Sequence, residues 1–156
     1  MRSTYRVLAG LIAILVVVQA MLMVWSLAGL FSWIDGGGTI DKSVIASWEE
    51  EPPDHAGAIG FPLHAFIIGP MVIPALGILL LISSFFAKVP RGVQWALTVL
   101  GLVILQVTLG LFGHESAYFG MLHGVNALAL FTVALMAGRR VSSGAASSTQ
   151  PAHATT

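Results

Sequence analysis

The chain has 156 residues, of which 56% are hydrophobic and 9% are charged, and its formal net charge is zero. A soluble domain carries roughly 25% charged residues, so this chain has too few polar groups to cover a water-facing surface. Its length predicts one domain, and its neutral charge favours no nucleic-acid partner. The absence of cysteine excludes disulfides and thiolate metal sites.

Four apolar runs follow one another along the chain, and none of them contains Asp, Glu, Lys or Arg. A helix needs about 20 apolar residues to cross the hydrocarbon core of a bilayer, and only a helix satisfies its own backbone groups there. We therefore expect an all-α fold, an integral membrane four-helix bundle that forms one domain over residues 1–140 and has the lipid bilayer as its solvent. The four runs cover residues 7–31, 61–86, 93–113 and 119–138.

Four crossings of the membrane would place the loops and termini at two opposite ends of the bundle, and the charged residues divide between these ends. All seven acidic residues and Lys42 belong to the end formed by the 32–60 loop and the 114–118 turn. The positive-inside rule assigns the basic end to the cytoplasm, so we expect both termini to be cytoplasmic in a multi-pass protein of the cell (plasma) membrane. The basic end comprises the termini and the 87–92 turn and holds Arg2, Arg6, Lys88, Arg91, Arg139 and Arg140.

The only sizeable loop and the C-terminal segment have distinct compositions. Within the loop, Ser43 to Glu51 predicts a short interfacial helix that Trp48 anchors and that the prolines at 52–53 stop. Residues 141–156 are rich in Ser, Ala and Thr and show no packing pattern. We expect this last segment to be a disordered cytoplasmic tail.

Two histidines lie at matching depth in the second and fourth spans. His64 follows Phe61 by three residues and His123 follows Phe119 by four, so each lies roughly 5 Å inside the outer boundary at the helical rise per residue. Because both helices enter from the same side, the two imidazoles can face each other across the bundle. Facing imidazoles in a bundle core are typical axial ligands of haem iron. The pattern therefore predicts haem b with bis-histidine ligation.

Small and polar residues at the same depth extend this candidate site. A porphyrin is a wide apolar plate, and Gly69, Gly120 and Gly124 would leave room for it. The same glycines also suit small-x-x-x-small helix packing, and an intramembrane histidine can be only a hydrogen-bonded packing residue, so both interpretations stay open. Gln106, roughly 10 Å deep, can bond a neighbouring helix or the cofactor edge. His114, beside the outer turn, can pair with a haem propionate.

The region from 61 to 138 resembles one half of the heme A synthase family. Residues 105–110 (LQVTLG) resemble the third-helix Gln-x-x-x-Gly pattern of that family, and 122–124 (LHG) followed by 126–128 (NAL) resemble the start of its fourth helix. Each half of those eight-helix proteins offers histidines on its second and fourth helices near the outer face. The resemblance therefore implies a four-helix scaffold with His64 and His123 as haem ligands.

Two departures from the family narrow what the resemblance implies. The catalytic half of the family has a glutamate three residues before its second-helix histidine, where this chain has Phe61. The family also often has a cysteine pair in its outer loop, and this chain has no cysteine. The resemblance thus implies a haem b-holding half, in electron transfer or haem handling, rather than hydroxylation of a haem methyl group.

Other functions remain open at this point, including whether any substrate is turned over. A non-enzymatic accessory or scaffold subunit of a larger membrane complex would use the small-residue faces for packing and need no cofactor. A transporter or channel would require several copies, because the spans contain few polar residues and no carboxylate. A homodimer of the haem-binding form would recreate an eight-helix assembly.

Overall fold

The computed structural model describes residues 1–47, 54–113 and 115–141, together with the backbone of 142–146. Every regular element in these residues is helical, and four of the helices are long and apolar enough to cross a membrane, with mean hydropathy from 1.7 to 2.8. The predicted all-α class with four helices of spanning length is therefore confirmed. The helices are α1 (Arg2–Asp35), α2 (Lys42–Ser47), α3 (Gly60–Ala87), α4 (Gly92–Leu111) and α5 (Ala117–Ala146).

The four long helices form a closed ring. Helix α1 packs against α3 and α5, and α4 packs against the same two helices. Among the described residues the diagonal pairs, α1 with α4 and α3 with α5, make no close backbone approach. Short connections make successive helices antiparallel neighbours, as the turn at 88–91 does for α3 and α4. Contact across the interior therefore depends on side chains from diagonally opposed helices.

The helices extend beyond most of the predicted apolar runs. Helix α1 begins five residues before the first run and ends four residues after it. Helix α5 continues to Ala146, through the first six residues of the predicted tail, and the rest of that tail lies outside the described residues. The apolar run of a sequence marks only the part of a helix that suits the hydrocarbon core. The backbone hydrogen bonds of the helix continue past that part until a turn interrupts them.

The 32–60 loop contains the short helix that the sequence predicts. Helix α2 covers Lys42 to Ser47, while Trp48 and the two prolines lie outside the described residues. Gly37 lies in the turn that follows α1 and has a φ of 104°. Glycine adopts this left-handed conformation without a steric penalty. The end of the loop packs against α1. Gly29 lies so close to the carbonyl of Ala56 that a side chain at position 29 would not fit.

The aspartate before α2 caps that helix and makes it sensitive to acid. The Asp41 carboxylate accepts hydrogen bonds from the Ser43 hydroxyl, the Val44 amide and the Ser43 amide, and these bonds lower the pKa of Asp41. A carboxylate with a lowered pKa stabilises the folded state above its unfolded value of about 3.9 and loses this effect as pH falls through the folded pKa.

We therefore expect the amide resonances of Ser43 and Val44 to shift as pH is lowered from 5 to 2 and α2 loses its cap. Asp41→Asn should hold the helix without this titration, because asparagine caps helices about as well as aspartate and does not ionise. An NMR titration of both proteins measures the difference. An equal shift in the Asn variant would show that the carboxylate is not the cap.

The apolar core lies at the end of the bundle that carries the termini. Its largest fully buried side chains include Tyr5, Ile12 and Leu80. Arg2 reinforces this end, since its guanidinium donates hydrogen bonds to the last carbonyls of α3. The buried apolar residues are Tyr5, Ala9, Ile12, Ala13, Ile73, Leu80, Ala87, Val89, Ala96, Val99, Val103, Leu130, Ala134 and Ala137.

One polar contact ties this core together. The buried Tyr5 hydroxyl donates a hydrogen bond of 3.1 Å to the carbonyl of Gly92 at the start of α4. We expect Tyr5→Phe to lower the free energy of unfolding by about 1 kcal/mol, the net value of one such bond. Tyr118→Phe is the matched control, because Tyr118 is 75% exposed. Equilibrium unfolding in mixed micelles compares the two, and equal effects would contradict the role of the Tyr5 bond.

Candidate cofactor site

The structure brings together the two histidines singled out in the spans. His64 on α3 and His123 on α5 are both partly buried, and their ring centroids lie 6.0 Å apart with an interplanar angle of 61°. Because α3 and α5 are diagonal in the ring of helices, the two imidazoles meet across the interior.

Each imidazole is held by a backbone carbonyl of a neighbouring helix. His64 Nδ1 lies 3.1 Å from the carbonyl oxygen of Gln19 on α1, and His123 Nδ1 lies 3.0 Å from that of Gln106 on α4. A carbonyl oxygen only accepts, so Nδ1 carries the proton in both rings. Nε2 then keeps its lone pair, which is the form of histidine that binds a metal. All four long helices contribute to this arrangement.

The ring separation matches that of a bis-imidazole site. Histidine nitrogens bind metals at about 2 Å, and two imidazoles on opposite sides of one metal then have centroids about 6 Å apart. The observed separation is 6.0 Å. This separation is therefore compatible with coordination of one ion by both rings.

Gln19 binds His64 through two hydrogen bonds, a role that sequence reasoning missed. Besides its backbone carbonyl, the Gln19 side chain donates a hydrogen bond of 3.1 Å from Nε2 to the His64 carbonyl. The residue is only 8% exposed, and its Oε1 is buried without a hydrogen-bond partner in the structure. The available signal was its polarity within an apolar span, since such residues are expensive in lipid.

His64 lies in an unusual part of α3. Residues Leu63–Val72 form a π-helix, which is wider than an α-helix, and Pro70 lies within it. Proline has no amide hydrogen, and its ring clashes with the carbonyl four residues earlier in an α-helix, so a wider turn relieves that clash. Short π segments occur frequently at functional sites. The structure thus places the π segment at one of the two candidate ligands.

A second set of polar contacts supports His123. The Asn126 side-chain amide donates one hydrogen bond to the Gln106 side-chain carbonyl at 2.6 Å and another to the Leu102 backbone carbonyl at 3.0 Å. Gln106 was predicted to bond a neighbouring helix or a cofactor edge, and the described bonds are to α5. It thus orients His123 through its backbone while its side chain joins α4 to α5.

The candidate glycines occupy two kinds of environment. A Cβ atom on Gly69 would lie 2.5 Å from the His64 carbonyl and 2.7 Å from Gln19 Nε2, so this position permits a close approach. Gly120 and Gly124 have open space, with only one atom 4.0 Å from the former and none within 4 Å of the latter. Gly110, which was not among the predicted site residues, lies beside the His123 ring, and a Cβ atom on it would lie 3.1 Å from the His123 Cε1.

The half of the bundle around the histidines lacks an apolar core. Among the described residues from 14 to 72 and from 104 to 129, no apolar side chain is buried, and the buried side chains are Gln19, Ser26 and Asn126. An apolar plate bound between the imidazoles would supply the missing packing. His114 lies outside the described residues, and a separate shallow cleft near Gly29 contains neither ligand candidate.

Comparisons with protein-family models, curated proteins and solved structures found no match to this chain. The structure therefore defines its class: a closed bundle of four helices of membrane-spanning length, with a histidine pair in its interior.

Proposed function

We propose that this protein binds one haem b per chain, with His64 and His123 as its axial ligands, and transfers electrons near the outer face of the cell membrane. The observation that carries the proposal is the meeting of two imidazoles at 6.0 Å, each with Nδ1 engaged by a carbonyl. Two neutral imidazoles that meet between the helices of a bundle are what a bis-histidine haem requires.

The number of protein ligands favours haem over a bare metal ion. A metal held by side chains alone usually needs three or four ligands. No group of three or more His, Cys, Asp or Glu suited to a metal occurs in the part of the chain that the structure describes. Two imidazoles suffice when the metal brings its own equatorial ligands, as haem iron does.

Bis-histidine ligation favours electron transfer over chemistry on a bound substrate. Haem b supplies a one-electron couple when bound. With both axial positions taken by His64 and His123, no position is left for a substrate or for oxygen. The bonds from Nδ1 to the carbonyls of Gln19 and Gln106 hold both rings in one orientation and raise the basicity of Nε2. His64 on α3 and His123 on α5 would thus hold the haem iron with their rings in a fixed orientation.

The orientation of the chain is part of the same proposal. The charge partition favours a cytoplasmic location for both termini, which places the histidine half of the bundle near the outer surface. Together with the four-helix scaffold, this agrees with the resemblance to the haem b-holding half of the heme A synthase family. A role in haem handling would use the same two ligands. It would differ from electron transfer in that the protein passes its bound haem to another molecule.

An optical titration tests the proposal. The protein is purified in mild detergent and titrated with haemin, and reduced-minus-oxidised spectra are recorded after removal of unbound haem. We expect saturation at one haem per chain and the spectrum of a low-spin, six-coordinate iron. A failure to retain haem after reconstitution with excess would overturn the proposal. Transfer of bound haem to apomyoglobin within minutes would favour haem handling over electron transfer.

A further inference from the structure

The end of the bundle that carries the termini has an uncompensated positive charge. Six of the seven basic residues lie there, and the acidic residues that the structure describes, Asp35, Asp41, Asp54 and Glu115, lie at the opposite end. The remaining acidic residues, 49–51, belong to the loop between α2 and α3. None of the acidic side chains that the structure describes therefore lies at the basic end, so an anionic molecule could supply the counter-charge there.

Three of these cations cluster at one corner, where α3 turns into α4 beside the start of α1. The guanidinium of Arg2 donates hydrogen bonds of 3.3 Å to the Ala87 carbonyl and 3.2 Å to the Lys88 carbonyl. These bonds fix the Arg2 charge beside Lys88. Arg91 follows three residues later, and all three basic residues are exposed. Arg2, Lys88 and Arg91 are named here the basic corner.

The backbone of the basic corner adopts conformations that cost free energy. Lys88 and Arg91 both adopt left-handed conformations, with φ of 50° and 56°. Such conformations cost an ordinary residue about 1 kcal/mol or more relative to glycine. Val89, between them, is buried and fixes the turn against the core. Glycine would relieve the strain at both positions, so the side chains there are not explained by the turn itself.

Exposed aromatic side chains lie next to the basic corner. Phe85 and Phe86, in the last turn of α3, are 64% and 63% exposed. They precede Lys88 by two and three residues, so they lie on the spanning helix just before it ends. Cations at the end of such a helix lie at the level of lipid headgroups, whereas exposed phenylalanines below them lie at the level of acyl chains.

We propose that the basic corner binds the phosphate of an anionic phospholipid, with the acyl chains of that lipid packed along Phe85 and Phe86. The juxtaposition of basic residues with exposed apolar rings favours a lipid over a free phosphate ion, which would use the cations alone. A lipid that carries a net negative charge also compensates the excess positive charge of this end, which a zwitterionic lipid does not.

A binding titration with two short-chain lipids tests this site. Detergent-solubilised protein is titrated with dioctanoyl phosphatidylglycerol, with dioctanoyl phosphatidylcholine and with inorganic phosphate, and binding is followed by native mass spectrometry and by the thermal unfolding midpoint. We expect saturable binding of phosphatidylglycerol, a rise in the midpoint, and much weaker effects of the other two. Each cation near an anionic headgroup contributes roughly fivefold in affinity.

The double variant Lys88→Gly/Arg91→Gly removes two cations and also relieves the left-handed strain, so its fold should be at least as stable without lipid. We expect its affinity for phosphatidylglycerol to fall roughly 30-fold. Lys42→Gln removes the one basic residue of the other end and should leave affinity unchanged. The double variant Lys88→Arg/Arg91→Lys keeps both positive charges and should bind phosphatidylglycerol as tightly as the unmodified protein. Equal binding of phosphatidylcholine, equal binding of inorganic phosphate, or undiminished binding by the glycine variant would each overturn the proposal.

Discussion

Replacing either His64 or His123 by alanine is expected to reduce haem affinity by more than about 100-fold, since removing even an outer-shell partner of a metal ligand costs 10–100-fold. The single remaining imidazole cannot complete six-coordinate ligation. Titration with haemin and the reduced-minus-oxidised spectrum measure the loss. The bundle itself should survive, because its apolar core lies at the other end.

The matched control is His55→Ala. This histidine precedes α3 in the chain, and its ring nitrogen contacts the carbonyl of Ala56 rather than either member of the pair. Its loss should leave haem affinity and the spectrum unchanged. Retention of a normal spectrum in both His64→Ala and His123→Ala would refute axial ligation by this pair. A spectrum lost equally in the His55 variant would point to binding elsewhere.

Gly69→Ala is expected to be the most damaging change among the glycines of the site. The added methyl group would lie 2.5 Å from the His64 carbonyl and 2.7 Å from Gln19 Nε2, too close for any real contact. It would break the hydrogen bond between these residues or displace the π segment. Overpacking of this kind typically costs about 1–3 kcal/mol, and the disturbed support of His64 should lower haem affinity about 10–100-fold.

Gly101→Ala is the control for Gly69→Ala. Gly101 lies within α4, and an added Cβ there would meet nothing within 4 Å. Because alanine favours helices over glycine by about 0.5–1 kcal/mol, this variant should be slightly more stable and bind haem normally. Unfolding midpoints and haem titrations of the two variants are compared side by side. Equal behaviour would show that Gly69 does not support the π segment.

The spans and the histidine pair follow from the sequence because hydropathy and depth are properties of single helices. Matching His64 and His123 required only counting residues inward from each boundary. The meeting of their rings also depended on α3 and α5 being diagonal, and the structure supplies that arrangement. The proposed identity of the ligand remains a prediction.

The supports of the two imidazoles could not be read from the sequence. The bonds to the two imidazole rings come from backbone carbonyls, which every residue has, so the identity of Gln19 or Gln106 does not reveal them. The π segment was equally hidden, because Pro70 is compatible with a kink, a bulge or a wider turn. Gly69 was interpreted as room for a cofactor, whereas its nearest neighbours are the His64 carbonyl and the Gln19 amide.

The placement of all buried apolar side chains in one half of the described bundle has a mechanical consequence. The four helices share a buried apolar core at one end, whereas the other end is joined by polar hydrogen bonds and by close contacts at Gly29 and Gly69. We expect the end that holds the histidines to open more readily, because its separation exposes no buried apolar side chain. A flat ligand that enters between His64 and His123 would then leave the apolar core intact.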